Sequence, residues 1–283
     1  MNPSPVCVLT GATSGIGRAT AQALAARQMQ LVLLARNVSA ARDFAATLPG
    51  PAAAVVECDL ARSASVRAAA AELLERFPEI DVLINNAGIM QPRRELSADG
   101  HELHWQVNYL SPVLLGVLLL PALRAAAARS ETPARLINVS SQIHGLGRIH
   151  FDDIQLEQRF GMYRAYGQSK LAILLATLEW ADRIDAAQIS ANAVHPGTVA
   201  TGLEGLPGWM KPFISSPEKG ARSSVWLATG PEAAGLNGQY VVGARPRKPA
   251  RRALDPDVRS RLWTLSREQL QLPENCLDAA AAP

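Results

Sequence analysis

Seven short apolar runs punctuate the chain: VCVLT (6–10), LVLLA (31–35), AAVVE (53–57), DVLIN (81–85), RLINV (135–139), ISANAV (189–194) and QYVVG (239–243). Each is continuously hydrophobic rather than alternating, as expected of a strand covered on both faces. Between them lie alanine- and leucine-rich stretches of helical length: Ile16 to Gln28, Ser63 to Phe77, Val107 to Ala128 and Ala165 to Ile184. Strand alternating with helix predicts an α/β doubly wound parallel sheet of about seven strands, with right-handed crossovers and helices on both faces. Such a sheet binds its ligand beyond the carboxyl ends of its strands, so residues that carry chemistry should follow strands directly.

The longest aliphatic stretch, VLLGVLLL (113–120), is bounded by Pro112 and Pro121 and reads as a buried helix. It falls far short of the roughly 20 residues a membrane span needs. The opening MNPSPVCVLTG lacks the basic, apolar and small-residue succession of a secretory signal, which leads us to expect a cytoplasmic protein with no membrane span.

At 283 residues, 48% hydrophobic and 19% charged, the chain suits one large domain over 1–283. A formal charge of +3 is too small to imply a nucleic-acid partner. Arg245, Arg247, Lys248, Arg251 and Arg252 cluster locally, but Pro246 and Pro249 interrupt them and no aromatic platform accompanies them, so they read as a solvated loop. Cys7, Cys58 and Cys276 are unevenly spaced, fit a reducing compartment and form no metal pattern. His101 and His104 in HELH lack zinc spacing and read as helix-surface residues, and no metal is expected. His195 precedes Pro196 at a strand end and reads as structural rather than as a base.

The first apolar run leads into TGATSGIG (10–17) and then at once into a helix. Gly11, Gly15 and Gly17 allow a tight turn and a close backbone approach to a pyrophosphate, with Thr13, Ser14 and Ile16 between them and free amides at the helix N-terminus. Where an acidic side chain usually holds an unphosphorylated ribose, this chain has Ala35 and then Arg36, and Arg18 adds a second cation. A guanidinium suits a phosphate dianion, so the preference expected is NADP(H) over NAD(H). Asp59 and Leu60 of CDL follow the third run and Asn86, Ala87 and Gly88 of NNAG the fourth; both groups arrive at the cofactor end.

After the fifth run come Ser140 and Ser141, and 25 residues beyond Ser141 the stretch YGQSK puts Tyr166 and Lys170 on one helical face. Leu171, Leu174, Leu175 and Leu178 supply that helix's core stripe, so the pair is expected to begin the helix beside the cofactor. A nearby lysine ammonium lowers the pKa of a tyrosine, which is otherwise too high for proton transfer at neutral pH. Ser141 either holds a substrate oxygen or caps the strand end. Asn108 of VNYL either fixes a water that joins Lys170 to solvent or makes an ordinary helix hydrogen bond.

Together TGATSGIG, NNAG, Asn108, Ser141, YGQSK and HPGTV (195–199) resemble the short-chain dehydrogenase/reductase family of Rossmann-fold oxidoreductases over nearly the whole chain. The resemblance implies a catalytic set of Asn108, Ser141, Tyr166 and Lys170, and contacts from Pro196, Gly197 and Thr198 to the nicotinamide. HGLGRIHFDDI (144–154), INNAGIM, HPGTVAT and RRALDPDVRSRLWTLSREQL are similar to the retinol dehydrogenase branch. That branch implies NADPH-dependent reduction of lipophilic aldehydes and ketones, although this chain shows no N-terminal anchor and retinoid specificity is not carried over.

A segment near 198–216, rich in glycine and proline and bearing Leu203, Leu206, Trp209 and Met210, has the make-up of a lid over a hydrophobic substrate. Ile143 and Met162, with Ile89 and Met90, would complete an apolar wall. The remaining chain, 244–283, forms a C-terminal extension. The expected protein is therefore an NADP(H)-dependent carbonyl or alcohol oxidoreductase acting on a hydrophobic small molecule, the alternative being a non-catalytic NADP(H)-binding or redox-sensing protein. Pairing of the two long helices across a twofold axis would give a homodimer or homotetramer.

Overall fold

The computed structural model describes residues 4–130, 132–197 and 216–278. Its strands are β1 (Val6–Thr10), β2 (Gln30–Ala35), β3 (Ala54–Glu57), β4 (Val82–Asn85), β5 (Ala134–Val139), β6 (Ile189–His195), β7 (Tyr240–Val242) and β8 (Pro246–Arg247). The helices are α1 (Gly15–Ala25), α2 (Val38–Ala45), α3 (Ser63–Arg76), α4 (Leu103–Trp105), α5 (Ser111–Leu118), α6 (Leu120–Ser130), α7 (Met162–Arg183), α8 (Pro217–Thr229) and α9 (Pro256–Leu270). The strands lie in one sheet in the order β3-β2-β1-β4-β5-β6-β7-β8. All neighbours are parallel except β7 and β8. The order reverses between β1 and β4, which opens a crevice at the carboxyl ends of these two strands.

Side chains of β1 explain why the apolar runs are continuous. Val8 points into the core beneath α3, α5 and α7, whereas Cys7 and Leu9 point into the core beneath α1 and α8. Both faces are dry, so apolar residues occupy both parities of the strand, and only Thr10 at its end is polar.

The sheet has eight strands among the described residues, not seven. Gly243 and Ala244 adopt left-handed φ values of 60° each and turn the chain back, so that Pro246 and Arg247 pair with Val241 and Tyr240. A proline is tolerated there because β8 is the sheet edge and needs no donor on its outer side.

The helix expected over Val107 to Ala128 is broken. α4 passes through a π-helical turn, Gln106–Leu110, into α5, and α6 then departs at 53°. Pro121 supplies no amide to the ladder and its ring crowds the carbonyl four residues back, which accounts for the bend. No single described helix is long and apolar enough to cross a membrane; only this bent pair passes on length and composition, and α5 is buried in the protein.

α9, from the C-terminal extension, packs on α7. Trp263 meets Trp180 edge-on at 6.3 Å, Arg259 pairs with Glu179 at 3.0 Å, and Gln269 accepts from the Trp105 indole at 2.9 Å. Nearly every residue of α7 from Ala165 to Trp180 is buried within one chain.

Candidate active site

The glycine turn between β1 and α1 is bound to the turn that follows β4. Gly11 and Gly15 take left-handed φ values of 69° and 48°, and a Cβ on Gly17 would lie 1.9 Å from the Gly11 carbonyl oxygen. The Thr10 hydroxyl accepts from the amides of Asn86 and Ala87 at 3.0 Å each, and the Asn86 side chain donates to the carbonyls of Thr10 and Gly11 at 3.0 and 3.2 Å. Asn86, expected to face the cofactor, therefore directs its amide into the turn and braces it. Thr10 was missed as a site residue, because a strand-end threonine carries no local signal of a partner 76 residues away.

The amides at the α1 N-terminus are not covered by a side chain: Ser14 is exposed and makes no cap bond. Thr13 and Ile16 are half-buried beside it. Arg18 is exposed, with its guanidinium 4.5 Å above the Phe44 ring, and Arg36 is exposed directly after β2. At the β3 end, Asp59 accepts from the Ala61 amide at 3.0 Å, and the Leu60 carbonyl accepts from Ser111 at 2.6 Å. Beyond β6, Pro196 and Gly197 turn the chain, Gly197 at φ 85°. A small-residue cradle with free helix amides fits the pyrophosphate of a nicotinamide dinucleotide.

Gly88, Asn108 and Lys170 converge next to that cradle: a Cβ on Gly88 would stand 3.1 Å from the Lys170 Nζ and 3.3 Å from the Asn108 Oδ1. Asn108 lies in the π-helical turn, where its Oδ1 accepts from the Ile89 amide at 2.8 Å. Its Nδ2 donates to the Ile89 carbonyl at 3.0 Å and to the Ser169 hydroxyl at 3.1 Å. Both amide hydrogens are committed, so this side chain clamps the segment after β4 instead of holding a water through its donors. Ser169 was also missed; it is the hidden member of YGQSK that receives this bond.

Tyr166 and Lys170 do not open the helix as expected, since α7 begins at Met162, one turn earlier. Gly167, Gln168 and Ser169 between them are ordinary helix. The Lys170 Nζ donates to the Val139 carbonyl at 2.9 Å, and the Ser140 hydroxyl donates to the Lys170 carbonyl at 2.7 Å, so the end of β5 holds the lysine by both ends. Burial lowers the Lys170 pKa to about 8. Its ammonium lies 5.7 Å from the centre of the Tyr166 ring.

In this structure the Tyr166 pKa is raised by burial, while a hydrogen bond with the Ser141 side chain acts in the opposite direction. Lys170 gives one of its three N–H donors to the strand carbonyl while its ammonium lies over the Tyr166 ring, so burial is the larger influence on the phenol here. Ser141 makes two contacts in this structure. It faces Tyr166, and it caps the short 3-10 turn Gln142–Gly145 by accepting from the Ile143 amide at 3.4 Å.

Ile143, Met162, Ile89 and Met90 are each half-buried. Thr198, Leu203, Leu206, Trp209 and Met210, and with them the expected lid, lie outside the described residues. His195 is buried, accepts from the Gln142 amide through Nδ1 at 3.1 Å, and has its pKa lowered to about 4 by burial and by neighbouring His144.

His104 is not on the surface. It is fully buried, its Nδ1 is 2.6 Å from Glu102 and its Nε2 accepts from the Gln91 amide at 2.8 Å. The local pattern around HELH could not reveal that loop 86–102 folds back over α4. His101 is half-buried against Gln155 at 3.1 Å, and no group of three potential metal ligands occurs among the described residues.

The family described as short chain dehydrogenase matches residues 5–206. The chain is 36% identical to retinol dehydrogenase 14 of Homo sapiens, across 92% of this chain and 84% of that protein. It is also 36% identical to retinol dehydrogenase 12 of Mus musculus, across 95% and 87%. Among solved structures, an uncharacterized protein from Mycobacterium Paratuberculosis superposes with a TM-score of 0.80 at 33% identity, covering 95% of this chain and 96% of that one. The Pseudomonas aeruginosa RhlG/NADP active-site complex superposes with a TM-score of 0.70 at 27% identity, covering 86% and 97%.

Proposed function

The chain belongs to the short-chain dehydrogenase/reductase family, on its retinol dehydrogenase-like branch, and on that premise we propose that it interconverts an aldehyde or ketone and the corresponding alcohol on a hydrophobic small molecule with NADP(H). The observation that carries this reading is the convergence of Ser141, Tyr166 and Lys170 at the end of β5, next to the glycine cradle.

Gly11 to Gly17 and the α1 amides would hold the pyrophosphate, Arg18 and Arg36 the 2′-phosphate, and Asp59 the adenine edge. Gly88, Pro196 and Gly197 would face the nicotinamide. Hydride exchange with the substrate carbon is the chemistry that the nicotinamide supplies when bound. Ser141 orients the substrate oxygen by hydrogen bonding, and Tyr166 delivers a proton to that oxygen in reduction or removes it in oxidation. Lys170, with a pKa of about 8, remains charged at neutral pH and stabilises negative charge that develops on the phenol oxygen. Ile89, Met90, Ile143 and Met162 offer apolar contacts, which supports a hydrophobic substrate. RhlG, a structural neighbour, carries NADP in its complex, in keeping with the cofactor proposed here.

The test is a screen of aldehydes, ketones and alcohols with NADPH/NADP and NADH/NAD, read by absorbance of the reduced nicotinamide, on wild type and Tyr166→Phe. The expected result is NADP(H)-linked turnover that Tyr166→Phe abolishes while NADPH binding persists. Equal turnover in the variant would defeat the proposed chemistry, and binding without turnover in wild type would favour a sensor.

A further inference from the structure

Ser141 lies beyond the last parallel pairing of β5, where the amide of Ser140 still donates to Val194 at 2.8 Å. From there its position depends on whatever holds the 3-10 turn that follows. His144 closes that turn. Its Nδ1 lies 2.7 Å from the Ser141 carbonyl oxygen, its Nε2 lies 3.1 Å from the Ala250 amide nitrogen, and its side chain is 3% exposed. A carbonyl can only accept and an amide N–H can only donate, so the ring is the neutral tautomer with its hydrogen on Nδ1. Burial, which lowers its pKa, favours the same neutral form.

Other contacts fix the ring and its surroundings. The imidazole meets Tyr240 of β7 edge-on at 4.8 Å. The Arg252 guanidinium donates to the Gly147 carbonyl at 2.9 Å, so the C-terminal segment grips the loop beyond the turn a second time. Within the turn itself, the Gln142 amide donates to His195.

We propose that His144 is a positioning residue for Ser141: it transmits the placement of the C-terminal segment around Ala250 to the backbone of the residue that orients the substrate oxygen. The inference rests on the role given to Ser141 above. It makes the C-terminal extension a working part of the site.

Three variants probe the link from its two ends. His144→Leu keeps the bulk and removes both hydrogen bonds, while His144→Asn keeps an amide N–H near the Nδ1 position. Ala250→Pro removes only the donated N–H, at a residue whose φ of −59° already suits proline. The measurements are kcat, KM for the carbonyl substrate, NADPH affinity and thermal unfolding, each repeated in a Ser141→Ala background.

We expect His144→Leu to lower kcat by about tenfold, Ala250→Pro by a smaller factor, and His144→Asn to recover most of the loss, all with unchanged NADPH affinity. In the Ser141→Ala background these substitutions should change kcat less than about twofold, because the group they position is gone. The same fold-loss in both backgrounds, or an unchanged kcat in Ala250→Pro, would overturn the proposal. An unchanged kcat in Ser141→Ala alone would overturn the role of Ser141 instead, so the two failures are separable.

Discussion

The ammonium of Lys170 donates to the backbone carbonyl of Val139 at 2.9 Å, in a position only 3% exposed. A lysine is thereby held as a buried cation with one strand carbonyl as its partner, and neighbouring Tyr166 is left with a pKa raised by burial.

The cost of burying that cation should be visible in stability against pH. The folded pKa is about 8 against an ordinary 10.5, so between these values the unfolded chain binds a proton that the folded chain lacks. Stability contributed through this group rises as pH increases through that window, and below it the full penalty, roughly 3 kcal/mol, is present. Urea unfolding of wild type and Lys170→Met across pH 8 to 10.5 should show wild type gaining on the variant as pH rises. Parallel pH curves would contradict the assignment.

Gly147 and Gly167 cross at close range, where a Cβ on Gly147 would lie 2.2 Å from the Gly167 carbonyl oxygen. Gly147→Ala should push the loop carrying Ser141 away from α7, destabilising the protein by about 1–3 kcal/mol and lowering kcat. Gly235, with nothing within 4 Å of a built Cβ, supplies the control: Gly235→Ala should leave thermal unfolding and turnover close to wild type.

His104 and Asn108 sit one turn apart and grip Gln91 and Ile89, which are two residues apart. Asn108→Ala strands both the amide and the carbonyl of Ile89, and each buried unpaired group costs about 1–3 kcal/mol. Loss of both stability and turnover is expected. If unfolding is unchanged while turnover falls, the clamp is not what Asn108 contributes.

Arg36 stands exposed at the end of β2 with no acidic residue beside it in the chain. Arg36→Ala should raise the KM for NADPH about tenfold and leave that for NADH nearly unchanged, since one charge-assisted contact to a phosphate is lost. Steady-state kinetics with both cofactors would decide; an equal effect on the two would remove the argument for NADP(H).

Local pattern carried much of the fold because strands buried on both faces cannot conceal their hydrophobicity, and because Gly11, Gly15 and Gly17 can be read from spacing alone. It failed where a choice depended on remote neighbours. The bend before α6 had its proline in view, yet the length of the apolar run masked it. The edge strand β8 is only two residues long and contains a proline, so its pairing with β7 has no periodic trace. His104 looked like a surface residue because burial by loop 86–102 is a property of the packed chain.

The amino-acid sequence by itself determined the strand–helix alternation, the glycine turn, and the presence of Tyr166 and Lys170 on one helical face, since these follow from periodicity and backbone sterics within a few residues. Tertiary structure alone decided that Thr10 and Asn86 brace the turn, that Lys170 is bound to Val139, that Asn108 clamps Ile89, and that Ala250 reaches Ser141 through His144. Each of these rests on a hydrogen bond between groups 19 to 106 residues apart, and a buried polar group finds its partner only when the sheet has brought both into one dry space.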